Sequence, residues 1–130
     1  MDLDRFQTNE AAETEGVWVD LSDTARVKVA RLNNPRYQAH VQAAMKPYRH
    51  QVRAGTLPDS VLEKITIGAM ASTILLDWKG VTRAGKALKY SSKAATEALT
   101  DLRDFRECIA EIAQSAELYR QQAVEDASGN

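Results

Sequence analysis

Cysteine occurs once in the 130 residues, as Cys108, so no intramolecular disulfide can form. With only two histidines, His40 and His50, beside it, the donor set is too thin for a zinc site. A chain of this length can bury roughly two-thirds of its unfolded surface, so one core can form without staples. Long apolar runs are missing as well. The longest mainly apolar stretch, Ile65 to Leu76, is too short to span a bilayer, and the first 20 residues hold no apolar core flanked by bases. Neither a membrane span nor a signal peptide is expected. What these absences leave is one ordinary soluble domain in a reducing compartment.

Acidic residues are missing from one particular stretch. Residues 24–58 hold seven bases and no acid, whereas residues 1–15 hold five acids and one base, and residues 94–130 hold eight acids and three bases. The formal net charge of −1 is therefore a sum over strongly segregated signs, and says little about partners.

Residues 1–15 are polar and without a periodic face, which predicts a disordered acidic arm. Val17, Val19 and Leu21 alternate with polar or aromatic neighbours, as do Val27 and Val29, around the turn-forming Ser22-Asp23-Thr24. That pattern predicts a β-hairpin, which needs a helix or further strand to cover its Val/Leu face. Asn34 caps and Pro35 opens a helix whose stripe is Tyr37, Val41, Met45, Tyr48 and Val52, with Pro47 kinking or splitting it and Gly55 ending it. A second helix opens at Leu57-Pro58-Asp59, directs Val61, Leu62, Ile65, Ala69 and Ile74 inward, and becomes apolar nearly all round through Leu76. Residues 77–92, with Gly80, Gly85 and three lysines, predict a long basic loop with a short hairpin around Arg83 to Lys86. Ser91 or Ser92 caps a short helix, and Thr100 caps a long one with Leu102, Phe105, Ile109, Ile112, Ala116 and Tyr119 inward. The expected fold is mainly α: an N-terminal β-hairpin, about four helices, and a long basic loop before the C-terminal helices. Residues 16–120 form the single domain, and residues 121–130 a frayed polar tail.

No set of residues suggests catalysis. His40 and His50 have no acid nearby in sequence to orient them, Cys108 has no base, and Glu107, Glu111 and Glu117 lack the spacing of a metal cluster and read as a solvated helix face. Gly80 and Gly85 belong to no phosphate-binding pattern, so neither an enzyme nor a cofactor is expected. Arg36, Lys46, Arg49 and Arg53 interleave with Tyr37 and Tyr48 as a nucleic-acid face would. The tyrosines fall on the apolar stripe, however, where core packing is the simpler reading. The bases then form a solvated face, or one docked on the acidic C-terminal helix of the same or a neighbouring subunit. Trp78 reads either as a core plug or as a partner anchor.

Four segments carry a resemblance: Gly16-Val-Trp-Val-Asp20, Ala25-Arg-Val-Lys-Val-Ala-Arg-Leu-Asn-Asn-Pro-Arg-Tyr37, Leu75-Leu-Asp-Trp-Lys-Gly-Val81, and Gly85-Lys-Ala-Leu-Lys-Tyr-Ser91 ahead of an amphipathic helix. In order and spacing, from about Gly16 to Tyr119, the chain resembles the tail assembly chaperones of long, non-contractile-tailed bacteriophages. It departs from them at Arg83-Ala84-Gly85, where an acidic, polar turn is expected. The resemblance implies a non-catalytic, oligomeric assembly factor of the host cytoplasm, absent from the mature virion. Such a factor solubilises the tape measure protein and recruits tail tube protein, in part through a longer frameshifted form. On this reading Tyr37, Tyr48, Trp78, Leu88 and Tyr90 are the expected partner contacts, and Arg36, Lys46, Arg49 and Arg53 meet Glu107, Glu111 and Glu117 between subunits. No membrane or nucleic-acid partner is expected. The competing classes are a small structural virion protein of the head-tail connector or tail terminator type, and a regulator binding nucleic acid through residues 26–53.

Overall fold

The computed structural model describes the backbone of residues 1–128 and the side chains of residues 1–125. The hairpin forms as its alternation predicts, with β1 (Val17–Asp20) and β2 (Arg26–Val29) pairing Val17 with Val29 and Val19 with Val27. The Ser22 hydroxyl closes the turn by accepting the Thr24 and Ala25 amides at 3.3 and 3.0 Å. Val27 and Val29 have no exposed surface, because the missing cover comes from both further strand and helix.

The further strand overturns the mainly α expectation. Helix α4 (Asp59–Thr73) stops before the end of the apolar run, and β3 (Leu75–Lys79) returns antiparallel to β2, giving a three-stranded sheet in the order β1-β2-β3. A short apolar run satisfies a buried strand as well as a buried helix. Ile74-Leu75-Leu76 becomes the exit from α4 and the start of β3 because the far edge of β2 offers backbone partners that a longer helix would leave unpaired. A second small sheet follows, β4 (Thr82–Arg83) with β5 (Lys86–Ala87), around a two-residue Ala84-Gly85 turn. This is the hairpin anticipated near Arg83. The fold is therefore mixed α/β.

The first long helix holds to its signals. In α2 (Pro35–Met45) the Asn34 side chain accepts the Arg36 and Tyr37 amides at 2.9 and 3.0 Å, and Asn34 also donates to the Arg31 carbonyl at 2.8 Å. Pro47 breaks the helix into a 3-10 turn, Lys46–Tyr48, followed by α3 (Arg49–Ala54), which ends at Gly55. Ser91 caps α5 (Ser92–Asp101) through the Ala94 amide at 3.0 Å.

The single long C-terminal helix does not form. Leu102 leaves helical geometry between α5 and α6 (Arg103–Ala113), and a second break precedes α7 (Ala116–Ser128). Thr100 is not a cap: it lies inside α5, its hydroxyl donating to the Thr96 carbonyl at 2.7 Å, and Leu102 is exposed rather than inward. Breaking the helix twice lets Ile109 reach the sheet and Tyr119 reach β2, which one straight rod could not do. The stretch expected to fray from Gln121 is helical through Ser128; the remaining two residues lie outside the described part.

The N-terminal acidic stretch also has structure. After a 3-10 turn at Leu3–Phe6, helix α1 (Glu10–Glu15) is capped by Asn9 and held by Arg31, whose guanidinium meets Glu13 at 3.1 Å and whose amide donates to the Glu13 carbonyl at 2.7 Å. The partner that fixes it lies in the basic segment after β2, which local periodicity does not reveal.

Gly80 shows how tightly the hairpin and β3 meet. It adopts φ +70°, and a methyl group there would fall 1.8 Å from the Thr24 carbonyl oxygen, a backbone atom that cannot step aside. Gly85 has a similar φ of +75° but open space around it. Gly85→Ala is expected to cost about 1 kcal/mol, the left-handed strain alone. Gly80→Ala is expected to cost at least about 3 kcal/mol, and a comparison of the two melting temperatures checks this.

Candidate functional site

The residues expected to contact a partner separate into two groups. Trp78 is 4% exposed and sits in the core. Its indole N–H donates to the Leu88 carbonyl at 2.7 Å, and the Tyr90 hydroxyl donates to the Leu75 carbonyl at 2.8 Å. The two rings meet edge to face, 5.2 Å between centroids and 85° between planes. Trp78, Leu88 and Tyr90 thus fasten the 77–92 segment onto β3. Burial raises the Tyr90 phenol above its usual pKa, and the nearby Asp77 carboxylate adds to the rise. The hairpin beyond this clasp overhangs a shallow groove of about 650 Å³ running from Leu76 to Tyr90.

Tyr37 and Tyr48 belong to a different surface. The helical arm formed by α2, α3 and the first two turns of α4 spans residues 35–66, and none of its side chains is fully buried. Tyr37 packs partly against the core, and its phenol is raised by burial. Val41, Met45, Tyr48, Leu57, Val61 and Ile65 are half-covered, because α2 and α4 mainly shelter each other. Val52 and Leu62 are 47% and 46% exposed. Leu62, expected inward, instead lies on the open part of the arm. Its neighbours on α4, with Thr96 and Thr100 of α5, line a second groove of about 480 Å³ floored by Ile67 and Gly68.

The charged residues divide as well. Arg36, Lys46, Arg49 and Arg53 are exposed on the arm and enter no ion pair among the described residues. Glu107 pairs with Arg103 at 3.3 Å and Glu117 with Arg120 at 3.7 Å. The strongest helix contacts of the basic helix α2 are with α4, so docking of the basic face on the acidic C-terminal helix within one subunit is not what is seen. His40 lies over Gly68 of α4, and Cys108 is half-exposed on α6. Among the described residues no group of three or more His, Cys, Asp or Glu side chains could hold a metal ion, and no helix is long and apolar enough to cross a membrane.

Two features escaped sequence reasoning. Trp18, on the solvent side of the sheet, lies under Lys79 at 4.7 Å and Arg26 at 5.5 Å. Its alternation with Val17 and Val19 places it there, but the cations come from other strands. Tyr119 is fully buried and donates to the Val29 carbonyl at 3.0 Å, tying α7 to the central strand. Its inward position was legible, but its strand partner, ninety residues away, was not.

A helical arm, residues 35–66, stands on a small sheet-and-helix body, and the sequence places the chain among proteins of bacteriophage origin. Residues 32–130 match the family described as the YdaY prophage protein, and the chain belongs to that family. The matched region starts just after the hairpin and includes the whole arm. No curated protein and no solved structure matches the chain.

Burial holds the Tyr119 phenol well above its usual pKa of 10.0, with Glu13 reinforcing the rise and Arg31 opposing it. The unfolded chain ionises this group first, so its contribution to stability is complete below about pH 10 and declines as the pH rises further. Tyr119→Phe is expected to lose about 1 kcal/mol at neutral pH. It should also show a shallower decline than the parent between about pH 9 and pH 11, measured by denaturant unfolding across that range.

Proposed function

We propose that this chain is a phage tail assembly chaperone, which binds and solubilises the tape measure protein and helps bring tail tube subunits to it. The observation that carries the reading is the arm. Over 32 residues it displays an amphipathic stripe, from Tyr37 through Ile65, with no side chain fully buried. Such a surface suits an amphipathic helix laid against it, its apolar side chains covering Tyr48, Val61 and Leu62 in helix-in-groove fashion. Membership of a prophage family supports a phage context, and the resemblance in segment order supports the tail chaperone role within it. A tape measure protein is a long helical chain with repeated apolar faces, the kind of client that needs such cover. On this reading the protein works in the host cytoplasm without a cofactor and leaves before the virion is complete. Trp78, Leu88 and Tyr90 then support the body, and the client meets Tyr37, Tyr48 and their neighbours on the arm.

Co-expression with a tape measure protein tests the proposal. The client is expected to move into the soluble fraction when this chain is present, and a client equally insoluble with and without it would sink the idea. Leu62→Asp, at a half-exposed position, should weaken client binding by roughly tenfold, the scale set by burying one aliphatic side chain. Leu21→Asp in the hairpin turn should leave binding unchanged. Mass spectrometry of purified virions should detect none of the protein; its presence there in stoichiometric amount would favour a structural component instead.

A further inference from the structure

We propose that the groove between β3 and the β4–β5 hairpin is a docking site for an acidic, extended segment of a partner protein. Twelve residues separate β3 from α5, where a connection of about two to six would serve. The extra length forms the hairpin, whose strand residues Thr82, Arg83, Lys86 and Ala87 are all exposed. A hairpin this short is marginal by itself, and it places no buried side chain in the core. It is tethered at its base, where the Leu88 amide donates to the Val81 carbonyl at 2.9 Å, and by Arg83, which meets Asp101 at 3.1 Å. What the excursion adds to the molecule is the far wall of the groove of about 650 Å³.

Charge and lining select the occupant. Residues 78–96 hold five bases and no acid. Lys79 and Lys89 line the groove, and Lys86 stands beside it on β5. Lys86 and Lys89 are exposed and enter no ion pair among the described residues, so their charge is uncommitted. Asp77, the one acid lining the groove among the described residues, is turned to its own backbone and accepts the Trp78 amide at 2.8 Å. Between the bases the lining is apolar, with Leu76, Val81 and Leu88 only half-covered. In an extended chain successive side chains point to opposite sides, so a segment that alternates acidic and apolar residues answers both features at once. The five residues of β3, about 16 Å long, set the site at about five residues of such a chain.

Two other occupants match these features less well. Single-stranded nucleic acid stacks on open aromatic faces, but Trp78 is buried in the core and the Tyr90 ring meets it edge to face. A strand pairing with the backbone of β3 finds two of its groups already bonded, the Trp78 amide to Asp77 and the Leu75 carbonyl to the Tyr90 hydroxyl. Recognition therefore rests on side chains. The groove shares no residue with the helical arm, and the proposal stands whether or not the arm's client is a tape measure protein.

Its test is the binding of labelled decapeptides to the full chain, read by fluorescence anisotropy. A peptide of alternating aspartate and leucine is expected to bind, with an affinity that falls as salt rises from about 50 to about 500 mM. Exchanging its leucines for serine, or its aspartates for lysine, should weaken binding about tenfold or more. Lys86→Glu combined with Lys89→Glu should weaken it about tenfold. Lys86→Arg combined with Lys89→Arg should retain it, as should Leu62→Asp on the arm, and circular dichroism establishes that each variant is folded. No binding of the aspartate-leucine peptide, equal binding by the folded charge-reversed chain, or loss of binding in Leu62→Asp would each overturn the proposal. So would tighter binding of a labelled single-stranded oligonucleotide of the same length, which would assign the lysines to phosphate.

Discussion

The pairing of β3 with β2 organises the rest of the molecule. Val27 and Val29 can be removed from water only if both edges and one face of β2 are occupied. The hairpin supplies one edge, and Leu75–Lys79 supplies the other. Drawing the chain back across the sheet places Trp78 in the core opposite Val27, ends α4 at Thr73 and lets the 30–32 segment thread between two helix ends. There the Ala30 amide donates to the Ile74 carbonyl at 2.9 Å, and the Leu32 amide to the Ala113 carbonyl at 2.8 Å. The second half of α4 is then enclosed, with Ile67, Met70 and Ala71 in the core, while no side chain of its first half, from Asp59 to Thr66, is fully buried. The exposed arm is thus a consequence of where the sheet ends.

Electrostatics act at two levels. Inside the subunit a few ion pairs join distant segments: Arg31 to Glu13 holds α1, Arg106 to Glu63 ties α6 to α4, and Arg83 to Asp101 steadies the second hairpin. Such pairs are partly exposed and worth about 1 kcal/mol or less each, so they select an arrangement that apolar burial has already made possible. Arg36, Lys46, Arg49 and Arg53 of the arm enter no such pair among the described residues, so a total near neutrality conceals a basic surface on one side of the molecule.

Much of the fold was legible, and the reason differs by element. The hairpin, the Asn34 cap, the break at Pro47, the stop at Gly55, the Ala84-Gly85 turn and the Ser91 cap all depend on residues within a few positions of one another. The failures share a different cause. Ile74 to Leu76 could continue a helix or begin a strand, and only the vacant edge of β2 decides between them. Residues 1–15 look unanchored until Arg31 is brought alongside. Leu102 fits a continuous apolar stripe from Thr100 to Tyr119, but the body is too small to accept a rod of that length, so the chain breaks twice and exposes it. The same distinction runs through the candidate site. Tyr37 and Tyr48 lie on the helical stripe that their spacing predicts, whereas Trp78 and Tyr90 are drawn inward by the carbonyls of Leu88 and Leu75.

By itself the sequence determined the local grammar of the chain and the segregation of its charge. Tertiary structure alone decided which apolar residues are spare. Spacing shows that side chains share a face, but whether that face is covered depends on contacts between segments dozens of residues apart. Those contacts follow from the packing of one sheet against α4 and α6.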